Sequence, residues 1–197
     1  MLNSTHSITR RPKILLLVCC LVLSWNASAL EVSGVNLPDS LHLGNQDLVL
    51  NGAGLRTKFF FKVYVAALYL GEKTHAAEAA LNQSGAKRVS MHILREISDE
   101  TLLNAFNEAM AANHTPAEMQ AMEPQLKELT AIFHAIGKVK EGDVVNLDYF
   151  PDSGTQFIVN GVQRGNIPGA AFNRALLKIW LGDHPAQPDL KQKMLGL

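Results

Sequence analysis

Cysteine is almost absent from this 197-residue chain, and its only two cysteines, Cys19 and Cys20, are adjacent near the N-terminus. If the N-terminal segment that carries both cysteines is removed, what remains has no disulfide, no thiolate nucleophile and no cysteine metal ligand. The remainder would then depend on its hydrophobic core alone for stability. About 168 residues are enough for one domain of that kind.

An excess of basic charge is also missing, because 18 Lys and Arg balance 18 Asp and Glu. The charged residues within 1–29 are all basic, Arg10, Arg11 and Lys13, so the rest of the chain has a net charge near −3. A protein that binds nucleic acid by electrostatics carries a basic patch or stripe instead. We therefore expect no nucleic-acid partner.

Long apolar runs are lacking as well. The longest, Ile14 to Trp25, is short of the roughly 20 residues that a membrane-spanning helix needs. It follows basic residues and precedes Ala27-Ser28-Ala29, the order typical of a secretory signal peptide. The sequence thus predicts a signal peptide at 1–29, one domain at 30–197 and no transmembrane span after cleavage. Such a protein is exported, to the periplasm in a Gram-negative cell; an uncleaved anchor is the alternative.

Common catalytic motifs do not occur. Gly52-Ala53-Gly54 resembles the start of a dinucleotide fingerprint, but Thr57 occupies the position of the third glycine and a strand follows. The chain has no phosphate-binding loop, no G-x-S-x-G and no HExxH. His92 and His134 lie on predicted elements, and we interpret them as structural or surface residues. No cofactor and no metal site are predicted.

The first third of the chain reads as β-structure. We expect strands at residues 32–35, at 48–50 leading into the glycine motif, at 59–70 and at 88–94. Apolar residues occupy both parities of the third of these strands, namely Val63, Val65, Ala67 and Tyr69 on one face and Tyr64, Ala66, Leu68 and Leu70 on the other. This pattern predicts a strand that is covered on both sides.

The rest of the chain alternates between helical and strand patterns. Ser98 and the run Thr115-Pro116-Ala117-Glu118 are helix N-terminal signals, and Pro124 predicts a restarted helix that Gly137 ends. Two strands follow, then an Asn160-Gly161 hairpin signal and a final helix ending at Gly182. These patterns predict an α+β fold, a mainly antiparallel sheet with helices packed on one face.

Arg56 precedes the doubly covered strand, and its environment is the main question that the sequence raises. Arginine stays charged, and burying it without a partner costs several kcal/mol. It could lie at a sheet edge in water, or pair with a carboxylate of its own chain. It could instead face a pocket and bind an anionic ligand in bidentate fashion, with Tyr64 donating a second hydrogen bond.

The segment Gly52-Ala53-Gly54-Leu55-Arg56, followed by Lys62-Val63-Tyr64 and Leu68-Tyr69-Leu70, resembles the chalcone isomerase superfamily. The likeness extends to residues 87–91 and to the final helix, and it is closest to the bacterial exported chalcone isomerase-like proteins. The resemblance implies an open-faced β-sandwich, in which a long curved sheet carries helices over one face.

In the plant isomerases of this superfamily, the arginine stabilises a phenolate that adds to an enone and closes a flavanone ring. A threonine of the next strand and a tyrosine and an asparagine of the following helix complete that site. Here Arg56 corresponds to the arginine and Tyr64 stands at the threonine position. No tyrosine lies between residues 70 and 148, and Asn104 or Asn107 is nearest to the helix asparagine. An isomerase-type intramolecular lyase is therefore one alternative.

Other members of the superfamily bind fatty acids without isomerase activity, through an arginine and a tyrosine that hold the carboxylate. Arg56 and Tyr64 match that version. The resemblance therefore implies a protein that binds a small amphipathic anion, a fatty acid or a flavonoid-like ligand, without catalysis. Candidate wall residues for its pocket are Phe59, Phe60, Phe61, Leu103, Phe106 and Phe133. A further alternative is a protein-interaction module in which the pocket is vestigial.

Overall fold

The structure is a computed structural model that describes residues 29–197, so the predicted signal peptide lies outside it except for Ala29. Its strands are β1 (Ala29–Val32), β2 (Val35–Pro38), β3 (Ser40–Leu43), β4 (Gln46–Lys58), β5 (Phe61–Leu70), β6 (Lys87–Ile93), β7 (Val144–Phe150), β8 (Gly154–Val159) and β9 (Val162–Ile167). Its helices are α1 (Ala77–Asn82), α2 (Asp99–Asn113), α3 (Pro116–Ala121), α4 (Glu123–Ile136), α5 (Ala170–Leu181) and α6 (Pro188–Met194).

Strands β3 to β9 form one antiparallel sheet in which each strand pairs with its neighbour in the chain. The hairpin β1–β2 is a separate two-stranded sheet. Helices α2 to α4 lie in the connection between β6 and β7, while α5 and α6 follow the last strand. The α+β class and the antiparallel sheet are confirmed.

Strand β5 is covered on both faces, as its sequence predicts. Ala66, Leu68 and Leu70 belong to the core that the helices share with the sheet. The alternate residues Val65, Ala67 and Tyr69 pack in a second cluster, which includes Leu37 of the β1–β2 hairpin. The helices therefore cover one face of the sheet, and the small hairpin covers part of the other.

The helix signals also agree with the structure. The Ser98 hydroxyl accepts the backbone N–H of Thr101 at 3.2 Å. Thr115 and Glu118 form a reciprocal capping box at the start of α3. Helix α4 restarts at Glu123, next to the proline, and ends at Gly137, whose φ is 69°. Local side-chain bonds of this kind are readable from sequence because both partners lie within one turn.

Three local expectations were wrong or missing. Residues 32–35 are not one strand, because Ser33 and Gly34 adopt positive φ values of 49° and 83° and turn the chain between β1 and β2. Phe59 and Phe60 form the turn between β4 and β5, so the strand begins only at Phe61. Helix α6 was not anticipated, since its seven residues are too few for a clear helical period.

The glycine pair of the opening motif allows α6 to approach β4 closely. A Cβ atom at Gly52 would overlap with the carbonyl oxygen of Lys193, and one at Gly54 would lie 2.7 Å from the Lys193 Cβ. Glycine is needed here because there is no room for a side chain. Helix α6 therefore packs directly against β4, close to Arg56. Within residues 29–197, no helix combines the length and hydrophobicity needed to cross a bilayer.

Candidate functional site

A cavity of about 620 Å³ lies between the helix-covered face of the sheet and helices α2, α4 and α5. Most of its wall is apolar, and its lining residues include Leu102, Phe106, Phe133, Val145, Leu176 and Ile179. Small-molecule sites in proteins have this size and this mainly apolar character. The cavity is therefore large enough for an organic ligand of moderate size.

Arg56 and Tyr64 are directly opposite each other on the adjacent strands β4 and β5, and both line this cavity. Residues paired in this way have Cβ atoms about 5 Å apart on the same face of a sheet. The structure thus brings the two predicted ligand-binding residues together at one place on the wall. Whether they bind a ligand stays a prediction.

The Arg56 guanidinium is held by oxygen atoms of its own chain but not by a carboxylate. Its Nη1 donates to the Thr57 carbonyl at 2.6 Å and to the Gln187 Oε1 at 3.2 Å. Among residues 29–197 the ion pairs involve other side chains, and no carboxylate oxygen lies within 4.0 Å of Arg56. Within the described residues, Arg56 is therefore not paired with a carboxylate of its own chain.

Gln187, which directly precedes α6, fixes the strand around Arg56. Its Oε1 accepts the backbone N–H of Thr57 at 2.9 Å, and its Nε2 donates to the Leu55 carbonyl at 3.2 Å. The side chain therefore bonds to the backbone on both sides of Arg56 as well as to its guanidinium. This arrangement orients the cation without changing its charge, because an amide is neutral.

The Tyr64 hydroxyl accepts a hydrogen bond from the Nε1–H of the buried Trp180 at 3.1 Å. Burial raises the pKa of Tyr64, although the Trp180 bond and the positive charge of Arg56 lower it in part. The phenol is therefore neutral near pH 7. Since Trp180 occupies one lone pair of the oxygen, the hydroxyl hydrogen remains free to donate to an acceptor in the cavity.

The predicted wall residues are only partly correct. Phe106 and Phe133 line the cavity, with their ring centroids 5.8 Å apart in an edge-to-face arrangement. Phe59, Phe60 and Phe61 do not, because they lie at the exposed tip of the β4–β5 hairpin. Leu103 does not line the cavity either. The adjacent residue of α2, Leu102, lies on the helix face that lines it.

The helix asparagine of the plant isomerases has no counterpart at this cavity. Asn104 and Asn107 are both exposed, and neither lines the wall. Helix α2 contributes Thr101, Ala105, Glu108 and Ala109 among its cavity residues. The donors that surround the substrate in those isomerases are therefore not reproduced on this helix.

His92 and His134 both take part in side-chain hydrogen bonds. The Nδ1 of His134 lies 3.0 Å from Asp99, and the Nε2 of His92 lies 3.3 Å from the Ser90 hydroxyl. In the part of the chain that the structure describes, no three His, Cys, Asp or Glu side chains are grouped to hold a metal ion.

Comparison with known proteins identifies the fold. The profile of a family described as chalcone isomerase-like matches residues 29–196. The chain belongs to this chalcone isomerase-like family. No curated protein sequence matches it significantly.

Among solved structures, the chalcone isomerase-like chain is similar to the crystal structure of a fatty-acid binding protein of Arabidopsis thaliana. The two share 15% sequence identity with a TM-score of 0.68, and the match covers 85% of this chain and 96% of the other. At this identity the likeness shows a common fold. The open-faced architecture expected from the sequence is thus confirmed.

Proposed function

We propose that this chalcone isomerase-like protein binds a fatty acid, or a similar amphipathic anion, without performing a reaction on it. The observation that carries the proposal is the pairing of Arg56 with Tyr64 on the wall of an apolar cavity. The guanidinium N–H groups that are not engaged by Thr57 and Gln187, and the phenol hydrogen, can donate to a ligand in the cavity. A carboxylate supplies two oxygen atoms that accept from both residues.

The apolar part of the cavity suits an acyl chain. Each methylene removed from water contributes about 0.8 kcal/mol before the costs of ordering the ligand. Leu102, Phe106 and Leu176 are among the side chains that would replace water around it. The structural neighbour is itself described as a fatty-acid binding protein, which supports this choice of ligand over other anions.

We infer the lack of catalysis from the hydrogen-bond donors that an isomerase site would need. An isomerase stabilises charge that develops on its substrate, and removing one such donor costs about 10² to 10³ in rate. Helix α2 offers no tyrosine, and Asn104 and Asn107 point away from the cavity. We therefore expect no acceleration of chalcone cyclisation over the buffer rate in a spectrophotometric assay; a clear acceleration would favour the isomerase alternative.

We also propose that the protein is exported, and that it is periplasmic if the cell is Gram-negative. The support is the order of basic, apolar and small residues before Ala29, together with a family match that begins at residue 29. N-terminal sequencing of the protein isolated from its host should find Leu30 first. An intact Met1 in that sample would contradict signal cleavage.

Titration with a matched pair of ligands tests the binding proposal. A long-chain fatty acid and the alcohol of the same chain length are titrated into the wild type and into Arg56→Gln. We expect the wild type to prefer the acid, and Arg56→Gln to weaken acid binding about 30-fold, since a hydrogen bond to a charged group is worth about 2 kcal/mol. Alcohol binding should be unchanged.

Arg164→Gln is the control, because Arg164 is exposed on β9 and lies away from the cavity. It should bind both ligands as the wild type does. Equal acid affinity in the wild type and Arg56→Gln would contradict the proposal, and so would the absence of any binding to the wild type.

A further inference from the structure

The β4–β5 hairpin ends in three consecutive phenylalanines that point into solvent. Phe59, Phe60 and Phe61 are 84%, 99% and 57% exposed. Large apolar side chains that cluster in this way on a protein surface mark an interaction site. None of the three lines the cavity, so ligand binding does not explain them.

The backbone of this turn makes the choice of residues more unusual. Phe59 has a φ of 56°, a left-handed conformation that is rare for bulky side chains. It is the first of two turn residues between the paired Lys58 and Phe61, a position that favours glycine. A strained aromatic residue at a fully exposed tip points to a role outside folding.

Basic residues surround these aromatic side chains. Lys58 and Lys62 flank the turn on both sides, and the Arg95 guanidinium lies 4.4 Å from the centroid of the Phe61 ring. In the described part of the chain, none of the three is within ion-pair distance of a carboxylate. Glu96 and Asp99, two acids near Arg95 in sequence, are engaged elsewhere, Glu96 with Lys138 and Asp99 with His134.

We infer that the β4–β5 hairpin tip, residues 58–62 together with Arg95, docks onto an anionic lipid bilayer. The phenylalanines insert among the headgroups, and the cations contact lipid phosphates. Aromatic side chains beside Lys and Arg are the usual composition of segments that lie at a membrane interface. The positive charge of Lys58, Lys62 and Arg95 favours an anionic surface, and a Phe60 that is 99% exposed suits insertion into the apolar layer beneath it.

Docking at this place also has a consequence for the cavity. Lys58 belongs both to the hairpin tip and to the cavity wall, two residues along β4 from Arg56. A docked hairpin therefore holds this end of the cavity against the bilayer, where amphipathic acids partition. The inference does not depend on the ligand, because vesicle binding is measured without one. Docking without acid binding would contradict only the function proposed above.

Vesicle sedimentation tests the inference. The protein isolated from its host, and its variants isolated in the same way, are mixed with vesicles of phosphatidylglycerol and phosphatidylcholine in equal parts, and with vesicles of phosphatidylcholine alone. The N-terminus is the same in all these proteins, so differences in partition report the hairpin. We expect Phe60→Ser to lower partition into the anionic vesicles about tenfold, a ratio that corresponds to about 1.4 kcal/mol.

The matched control is Val162→Ser, which removes another exposed apolar side chain, 54% exposed at the β8–β9 hairpin. It should leave partition unchanged. The double variant Lys62→Gln with Arg95→Gln should lower partition about fivefold per charge into anionic vesicles. It should have little effect on phosphatidylcholine vesicles, and added salt should reduce the difference.

Phe59→Gly separates docking from folding. Glycine relieves the left-handed strain, so the melting temperature should rise while vesicle partition falls. Anionic vesicles should also slow hydrogen exchange of amides 57–62 in the wild type, with no change at amides 160–163.

Two outcomes would overturn the inference. One is equal partition of the wild type and Phe60→Ser, with no vesicle-dependent protection of amides 57–62. The other is a lipid-free dimer, seen by analytical ultracentrifugation in the wild type and lost in Phe60→Ser, because the hairpin would then contact a second copy of the chain.

Discussion

Trp180 and Tyr64 are joined by a hydrogen bond of 3.1 Å in which the indole donates and the phenol accepts. The bond links α5 to β5, and it determines what the phenol has left to offer. Because its oxygen already accepts from Trp180, the phenol can still donate its hydrogen to a group in the cavity that both residues line. Trp180 of α5 thus leaves the Tyr64 hydroxyl hydrogen available to an acceptor in the cavity.

Tyr64→Phe should weaken binding of a fatty acid about tenfold, since it removes one donor to the carboxylate. It should also lower the free energy of unfolding by about 1 to 2 kcal/mol, because the buried Nε1–H of Trp180 loses its acceptor. Calorimetric titration and urea denaturation measure the two effects. Unchanged acid affinity in a folded Tyr64→Phe protein would remove the phenol from the proposed site.

Gln187→Glu should abolish preference for an acid by giving Arg56 an internal partner. The substitution places a carboxylate oxygen near the Arg56 Nη1, where the amide oxygen now lies at 3.2 Å. A neutralised arginine no longer attracts a second anion. Acid affinity should fall at least tenfold, and affinity for the matching alcohol should remain.

The control for this prediction is Gln192→Glu, the same change at an exposed position of α6. It should behave as the wild type in both titrations. If Gln187→Glu binds the acid as tightly as Gln192→Glu does, the charge of Arg56 does not select the ligand.

Gly52→Ala should destabilise the fold, because the new methyl group would overlap with the Lys193 carbonyl and displace α6. Overpacking of this kind costs about 1 to 3 kcal/mol. Gly71→Ala is the control, since its nearest neighbour is the Gln83 Oε1 at 3.6 Å. Thermal unfolding should show a loss for Gly52→Ala and none of that size for Gly71→Ala; equal melting temperatures would show that α6 does not constrain β4.

Lys87 should make stability depend on pH. Burial and, to a smaller extent, the charge of Arg174 lower the pKa of Lys87 from 10.5 to about 8. Between these values the unfolded chain binds the proton and the folded chain does not, so stability rises with pH. The gain should amount to roughly 3 kcal/mol at most by pH 10.

Urea denaturation between pH 8 and pH 10 measures this dependence, and Lys87→Met should remove it. Tyr64 and Tyr69 make stability fall with pH, but only above pH 10, because burial raises the pKa of both phenols above their ordinary value of 10. A wild-type stability that is flat or falls over this range would contradict the assignment to Lys87.

The sheet and the helix starts are predictable from sequence because their signals are local. Strand β5 has apolar residues on both of its faces. Thr115 and Glu118 form the capping box of α3 within one turn of helix. Arg56 and Tyr64 could also be placed together, since the resemblance to a known family assigns both residues to one ligand.

The contacts that define the site are not local. Gln187 bonds to Arg56 across 131 residues, and Trp180 bonds to Tyr64 across 116. No periodic pattern reports such a pair, and the short α6 gives no clear helical signal. The same limit explains the error at Phe59, Phe60 and Phe61, whose apolar character suggested a wall although the turn places them in solvent.

Native mass spectrometry of the isolated protein, followed by analysis of the released lipids, tests the central claim most directly. The account predicts that the wild type retains a fatty acid, or a similar amphipathic anion, in a one-to-one complex. Arg56→Gln, purified in the same way, should be largely empty. A wild type that carries no acid, or an Arg56→Gln protein that carries as much as the wild type, would contradict it.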